Sequence, residues 1–528
     1  MDGTHLYIDI STNYMNHLYR PEWTCGRYDE KHRVAIYYNL IEGMAYFFED
    51  YSATVIGEVL NLGRNGHISI EQLSKRTCLS RDNLIPFLEE LIQLNLITIF
   101  LPTPQSIEMY RRDLYKHRSI LEPNNDVLSR ENLPIAKNTA EMEYSDKING
   151  IGGVMFELTY NCSEKCIHCY NIGATRNDTE KSHRDIGNNL TLDEYKRIID
   201  EFYSEGLYKV CLTGGDPFVN PIVWDILDYL YKRDIAFDIY TNGLKLVDSV
   251  DKLLKYYPRL VSVSLYSDIA EVHDYITRVN GSWRKTMSVI EQLSEKATPM
   301  NLKCCIMQPN VKSYRGVSAI GKKYGIPVQY ELNITDSIDG DKCASKYLRL
   351  SPNQMETVLC DVETPMYVGK EVENYGRIKR SEKQIGCSAG IDSFNITPDG
   401  KLVPCCAFHL DLGDLHKEKV RDIINNSEKL KWWRNLPLSE YEDCGKEEYC
   451  AFCNLCPGNN FSEYGTPVKC SENNKFMAKA RYNLMLKKKN GIDPLEGMSI
   501  QEKLLQLPDY KVKKIKRELK SIRANGTP

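Results

Sequence analysis

The chain has 528 residues, of which 42% are hydrophobic and 27% charged, with a formal net charge of -4. Such a length accommodates several domains with substantial cores, and a charge this close to balance excludes a globally basic nucleic-acid binder. No run of about 18 apolar residues is present, so no membrane span is expected. The first residues lack the basic-then-apolar pattern of a secretory leader, so the chain is expected in the cytoplasm. Its 18 cysteines, in a long chain without a secretion signal, point to metal or cluster ligation and not to disulfides.

Residues 33–101 read as a small unit. Val34–Leu40 and Met44–Phe48 form a predicted hairpin across Ile41-Glu-Gly43. Helical spacing follows over Ser52–Leu62, then over Ser69–Cys78 and Ser80–Leu94, each of the last two with a serine at the N-cap. Leu96–Leu101 reads as a closing strand. This order is that of a winged helix-turn-helix. It does not read as a DNA binder: the segment holds five Lys/Arg against eight Asp/Glu, and the third helix sets Asp82, Glu89 and Glu90 beside Arg81. The unit, expected over residues 1–102, resembles the PqqD-like recognition domain of peptide-modifying enzymes. That resemblance implies a leader peptide added as a strand to the wing and packed on the third helix. Residues 103–150 are polar and weakly periodic and read as a connector, with one helix near Ser106–Arg118.

From Val154 the pattern alternates. Strands are predicted at Val154–Leu158, Lys209–Thr213, Phe237–Thr241, Leu260–Leu265, Leu302–Met307 and Val328–Leu332. Helices are predicted at Leu192–Glu205, Pro221–Lys232, Val247–Tyr256, Trp283–Lys296 and Ser313–Tyr324. Six strands with crossover helices make an α/β fold, a parallel sheet or a partial (β/α)6 TIM-type barrel over residues 151–345. Active sites in such folds gather at the C-terminal ends of the strands.

The first strand leads into Phe156-Glu-Leu-Thr-Tyr-Asn-Cys-Ser-Glu-Lys-Cys-Ile-His-Cys-Tyr170. Cys162, Cys166 and Cys169 stand at C-x3-C-x2-C spacing in a loop, which wraps three thiolates round one cluster. Zinc sites favour paired CxxC units and four ligands. Three protein thiolates on four irons leave one iron free for a small-molecule ligand. The motif resembles that of the radical S-adenosylmethionine (SAM) enzymes. The resemblance implies a [4Fe-4S] cluster whose free iron chelates SAM, and an electron that cleaves SAM to a 5'-deoxyadenosyl radical. It also assigns expected cofactor contacts: His168 as a packing or backbone neighbour of adenine, Gly214, Gly215, Asp216 and Pro217 as the counterpart of a GGEP loop with Asp in place of Glu, Asn242 after the third strand, Ser264 after the fourth, and Arg278 pairing with the SAM carboxylate. Read alone, each of these is a turn, a cap or a surface ion pair.

A second set of thiols lies at Cys387, Cys405, Cys444, Cys450, Cys453, Cys456 and Cys470, with Cys406 beside Cys405. Asn395–Pro404 reads as a hairpin with an Asp-Gly turn that brings Cys387 and Cys405 together. This resembles the SPASM domain, expected over residues 346–480, which implies two auxiliary [4Fe-4S] clusters and three in all. In the family pattern C-x2-C-x5-C-x3-C, Tyr441 takes the place of the first cysteine and the closing spacings here are both x2. The resemblance therefore assigns Cys387, Cys405 and one of Cys453 or Cys456 to an inner cluster, and Cys444, Cys450, Cys470 and the other to an outer one. Seven thiols leave one iron for Cys406, Cys360 or a substrate thiolate. Residues 481–528 read as a basic helical tail, with 12 Lys/Arg against five Asp/Glu over 480–528, concentrated at Lys487–Lys489 and Lys511–Arg523.

A recognition domain, a radical SAM core and a SPASM domain together imply maturation of a ribosomally made precursor peptide, with a flavodoxin- or ferredoxin-type electron donor. The expected product is a thioether from a Cys sulfur to a peptide carbon. Carbon–carbon or ether cross-linking and epimerisation are the alternatives within the class. A formylglycine-generating (sulfatase-maturing) enzyme and a winged-helix iron–sulfur regulator are the alternatives outside it.

Overall fold

The computed structural model describes residues 17–120, 139–171, 188–338, 340, 342–364, 387–442, 446–453 and 455–510, with no side-chain placement for 117–120 and 343. The N-terminal strands are β1 (Leu18–Tyr19), β2 (Thr24–Asp29), β3 (Val34–Asn39), β4 (Met44–Glu49) and β5 (His67–Ile68). The expected hairpin is β3–β4, and β2 pairs with β3 along all six residues of each strand. The sequence Thr-Cys-Gly-Arg-Tyr-Asp gives no strand signal for β2. Its Gly26 is required by the pairing, because a Cβ there would lie 2.3 Å from the Ile36 carbonyl oxygen.

Three helices follow, Asp50–Leu60, Ile70–Thr77 and Arg81–Gln93. Ser69 and Gln72 close a reciprocal capping box on the second, and Ser80 caps the third. They bury Val55, Ile56, Leu73, Leu84 and Leu88 against Ala35 and Tyr37. The closing strand expected at Leu96–Leu101 does not form: only Thr98 bridges to Tyr19. The physical reason is packing, since Leu96 and Ile97 are drawn into the helical core and β1, only two residues long, pairs with β5. The expected connector is more regular than its composition indicates, with helices Pro104–Ile120 and Thr139–Ile148.

The main sheet comprises β6 (Gly153–Glu157), β7 (Lys209–Thr213), β8 (Ala236–Thr241), β9 (Leu260–Ser264), β10 (Met300–Cys305), β11 (Val328–Glu331), β12 (Ser393–Ile396), β13 (Lys401–Val403) and β14 (Gly413–Asp414). Its order is β11-β10-β9-β8-β7-β6-β12-β13-β14. Strands β6 to β11 are all parallel, in chain order, as a partial barrel requires. Strand β12 adds parallel to the free edge of β6, and β13 and β14 continue antiparallel. The cysteine-rich region is thus hydrogen-bonded into the barrel sheet, a pairing the sequence did not indicate. The helix expected at 247–256 is shorter, Val250–Leu254. The boundary expected at residue 480 falls within one helix, Glu472–Lys489, whose Lys487 pairs with Glu356 at 2.6 Å. The basic run Lys511–Arg523 lies outside the described residues. Among the described residues no helix is long and apolar enough to cross a membrane.

Strand alternation sorts the barrel residues. Val154, Phe156, Val210, Leu212, Ile239 and Val263 join the helices in one apolar core. Their neighbours in sequence, including Glu157, Cys211, Tyr240, Ser264, Lys303 and Glu331, lie on the opposite, lumenal face, which is largely polar. At the N-terminal end of the strands Arg259 grips Asp238 through both carboxylate oxygens, with Nε to Oδ1 at 2.7 Å. Arg259 also lies 3.7 Å from Glu141, which pairs with Lys209 and accepts from the Tyr38 hydroxyl at 3.0 Å. Burial disfavours charge on Glu141, yet Arg259 and Lys209 hold its carboxyl below the usual value. The N-terminal unit is anchored at this same end. Arg20, 0% exposed, pairs with Asp234 at 2.7 Å, and Arg64 lies 3.9 Å above the Tyr231 ring.

Replacing Arg259 with Leu strands the buried Asp238 carboxylate and is expected to destabilise the protein by about 3–5 kcal/mol. Chemical denaturation of the purified variant checks this, with R259K intermediate because it restores charge without the two-pronged grip.

Candidate functional site

The cysteine triplet occupies the loop after β6, at the C-terminal ends of the strands, and two neighbouring loops shape it. Leu158 N–H donates to the Thr213 carbonyl at 2.9 Å, Gly215 N–H to Thr159 at 2.5 Å and Asp216 N–H to Asn161 at 3.0 Å. The approach is too close for a side chain. A Cβ on Gly214, whose φ is +138°, would lie 2.4 Å from the Thr159 oxygen, and one on Gly215 would lie 2.1 Å from that of Asn161. On the other side Lys165 and Ile167 donate to the carbonyls of Thr277 and Ile276 at 3.0 and 2.9 Å, at the end of helix Ala270–Thr277.

Within the loop, Cys162 Sγ accepts from the Glu164 N–H at 3.4 Å and from Asn242 Nδ2 at 3.3 Å. Cys166 Sγ donates to Glu164 Oε2 at 3.2 Å. Burial pushes the Cys162 and Cys166 thiols up, with like charges nearby adding to the effect. Thiolates are stabilised here only beside a cation, which is how an iron cluster would hold them. Among the described residues no group of three or more His, Cys, Asp or Glu side chains is placed to hold a metal ion. His168 packs edge-on to Tyr266 at 4.8 Å between ring centres. Burial pushes its imidazole down to about 4, so it is neutral at ordinary pH.

Asp216 is buried, and its carboxylate serves the protein backbone. Oδ1 accepts from Phe218 N–H at 3.0 Å, and Oδ2 accepts from the Thr241 hydroxyl at 2.7 Å and Asn242 N–H at 2.9 Å. It thereby ties the Gly214–Pro217 loop to the loop after β8, whose Asn242 reaches Cys162. Ser264 ends β9. Arg278 follows helix Ala270–Thr277 in the left-handed region, with φ 58°, and its charge acts on Tyr510. Sequence reading missed Glu164, Tyr266 and Tyr510. Glu164 was visible between the cysteines, whereas Tyr510, packed on Tyr275 at 6.0 Å, comes from the far end of the chain.

The second thiol set lies across β6. The hairpin β12–β13 turns at Asp399-Gly400, where Gly400 has φ +78°, and delivers Cys405 and Cys406 to a cavity of about 200 Å³ lined also by Met155, Cys211 and Asn395. Cys456 is an electrostatic neighbour of both Cys405 and Cys387. Cys450 and Cys470 flank Tyr449, and Cys453 N–H donates to the Cys450 carbonyl at 3.2 Å. Cys444 lies outside the described residues. Cys406 interacts with Cys405 and Tyr170. Cys360 sits apart, with Lys487, Lys488 and Glu356 as neighbours. The buried Glu157 lies in the lumen beside Cys406, its carboxyl pushed up to about 8 by burial and that thiol.

Comparison with known proteins agrees with this geometry. Residues 156–308 match the family model of the Radical SAM superfamily and residues 387–457 that of the SPASM iron-sulfur cluster-binding domain. The antilisterial bacteriocin subtilosin biosynthesis protein AlbA of Bacillus subtilis is 27% identical over 60% of this chain and 70% of its own. The AdoMet-dependent heme synthase of Methanosarcina barkeri is 24% identical over 59% of this chain and 93% of its own. The crystal structure of Streptococcus suis SuiB bound to precursor peptide SuiA aligns over 87% of this chain and 100% of that one, at 13% identity and a TM-score of 0.49. The chain carries a SAM-binding radical SAM domain followed by a cysteine-rich SPASM domain, and it is an enzyme of the radical SAM class.

Gly215→Ala drives a methyl group into the Asn161 carbonyl and shifts the start of the triplet loop. Anaerobic reconstitution of this variant is expected to incorporate about four fewer irons per chain than the parent protein, read by iron and sulfide assay.

Proposed function

We propose that this enzyme is a peptide maturase that installs thioether links between a Cys sulfur and a peptide carbon in a ribosomally synthesised precursor. What supports the reading is that cysteines lie on both sides of β6: Cys162, Cys166 and Cys169 follow it in the chain, and Cys405 ends the hairpin paired to its edge, with Cys456 as its electrostatic neighbour and Cys387 as that of Cys456. Each group would hold a [4Fe-4S] cluster with one iron lacking a protein thiolate. In the first, that position is for SAM. In the second, it is for a cysteine of the peptide. Cys444, Cys450, Cys453 and Cys470 would complete an outer cluster, making three.

When bound, the first cluster supplies the electron that cleaves SAM to the 5'-deoxyadenosyl radical. The chain's own residues orient the cofactor. Gly214, Gly215, Asp216 and Pro217 would form one wall of the cofactor site, Asn242 and Ser264 would offer polar contacts from neighbouring strand ends, Arg278 would pair with the SAM carboxylate and His168 would pack near the adenine.

The N-terminal unit fits a leader-peptide reader of the PqqD-like kind. Strand β4 is an edge of its sheet, and Phe48 meets Phe87 of helix Arg81–Gln93 at 5.8 Å. Tyr51, 55% exposed, lies beside the same ring. A peptide strand added to β4 would find both a hydrogen-bonding edge and an apolar helix face. The likeness to a bacteriocin biosynthesis protein supports a peptide substrate. A flavodoxin- or ferredoxin-type protein is the proposed electron donor.

Two experiments test the reading. Tandem mass spectrometry of a co-expressed Cys-containing precursor is expected to show a loss of two mass units per link with the cysteines blocked to alkylation. The same loss with free thiols means carbon–carbon or ether links, and deuterium gain without mass loss means epimerisation; either result refutes the thioether. Second, Cys456→Ser is expected to perturb the inner auxiliary cluster's electron paramagnetic resonance signal, and Cys453→Ser that of the outer one, with the triplet's SAM-sensitive signal retained in both.

A further inference from the structure

Among the described residues the lumenal cation Lys303 has no carboxylate within ion-pair distance. It stands on β10, with Ser264 of β9 and Gln329 of β11 as its register neighbours. Its Nζ donates to Gln329 Oε1 at 2.9 Å and lies 4.2 Å above the Tyr240 ring. Among the described residues it makes no ion pair, although three carboxylates share the lumen. Each of those is otherwise engaged. Asp238 is held by Arg259, Glu331 Oε1 accepts the N–H groups of Leu332 and Asn333 at 2.8 Å each, and Glu157 Oε1 accepts from the Tyr170 hydroxyl at 3.5 Å. A neutral amide and an aromatic face supply no opposite charge, and the bond to Gln329 is open to solvent, so a ligand can reach the ammonium.

Its position gives the vacancy a meaning. Cys305, two residues on along β10, and Cys166 of the triplet both act on Tyr266. On the other side, the charge of Lys303 reaches Cys406, next to Cys405 of the inner auxiliary group. In register with Ser264, the last residue of β9, Lys303 stands at the strand ends on the lumenal face, where a peptide inside the barrel has to lie. We propose that Lys303 is a substrate-binding residue that pairs with the carboxylate of an acidic side chain, Asp or Glu, in the segment of peptide inside the barrel. This inference rests on the peptide-maturase reading and narrows it to acidic core peptides. An ammonium presented with a carbonyl and a ring face leaves its remaining hydrogens for one carboxylate.

The test uses the full-length, cluster-reconstituted, oxidised enzyme loaded with SAM. Binding of acetyl-Ala-Glu-Ala-amide is compared with that of acetyl-Ala-Gln-Ala-amide by isothermal titration calorimetry. The parent enzyme is expected to prefer the Glu probe about tenfold, as a hydrogen bond to a charged group provides. Lys303→Met is expected to abolish the preference and Lys303→Arg to keep most of it. Lys303→Gln, a polar replacement, gives the same readout if Lys303→Met fails to take up iron. An unchanged preference in both neutral variants, or no preference in the parent enzyme, overturns the proposal. So does a fall in SAM affinity with the Glu preference intact, which would make SAM the source of the carboxylate. Because binding is read without turnover, a parent enzyme that prefers the Glu probe but forms no thioether would refute the maturase reading separately.

Discussion

Strand β6 is hydrogen-bonded on both edges, by β7 on one side and β12 on the other, and both thiol sites depend on that arrangement. The chain leaves β6 directly into the triplet loop. The hairpin that carries Cys405 hangs on the opposite edge, in a register pairing Asn395 with Met155 and Ile396 with Phe156. A register shift of one residue would turn Asn395 outward and Phe394 into the lumen. The apolar residues Val154 and Phe156, packed under the helices, hold that register, so the distance between the two sites is set by core packing and not by the loops themselves.

The lumen is polar where small closed barrels are filled with aliphatic layers. Emptying a barrel of its packed interior costs stability, and the ion network at the opposite end offsets part of it. Glu141, Lys209, Asp238 and Arg259 close the base as one hydrogen-bonded group, with Tyr38 joining it from the N-terminal sheet. The network places the N-terminal unit at the N-terminal end of the barrel, away from the triplet. A leader bound at β4 and a core peptide in the lumen would then be parts of one long chain passing around the barrel wall.

The strand ends show a division of labour. Gly214 and Gly215 are required by backbone contact with residues 159–161, and Asp216 by three hydrogen bonds that join two loops. These residues shape the triplet loop before any ligand arrives. The Gly-Gly-Asp stretch therefore has a folding reason of its own, independent of any ligand.

The sequence alone determined the six parallel strands, because alternation of buried and lumenal residues and the crossover helices are local patterns. It also determined the triplet and its thiol spacing, and the pair of capped helices in the N-terminal unit. Strand β2 was illegible, since its residues are strand-like only when paired with β3. Leu96–Leu101 misled for the opposite reason: its apolar residues serve a helical core. Two equal x2 spacings do not rank Cys453 against Cys456; the fold makes Cys456 the N-cap of helix Pro457–Tyr464 and an electrostatic neighbour of Cys387 and Cys405. Lys303 is one lysine among many in the sequence. Only the closing of neighbouring strands around a polar lumen, which leaves its ammonium between Tyr240 and Gln329 with no carboxylate of the described chain beside it, sets it apart.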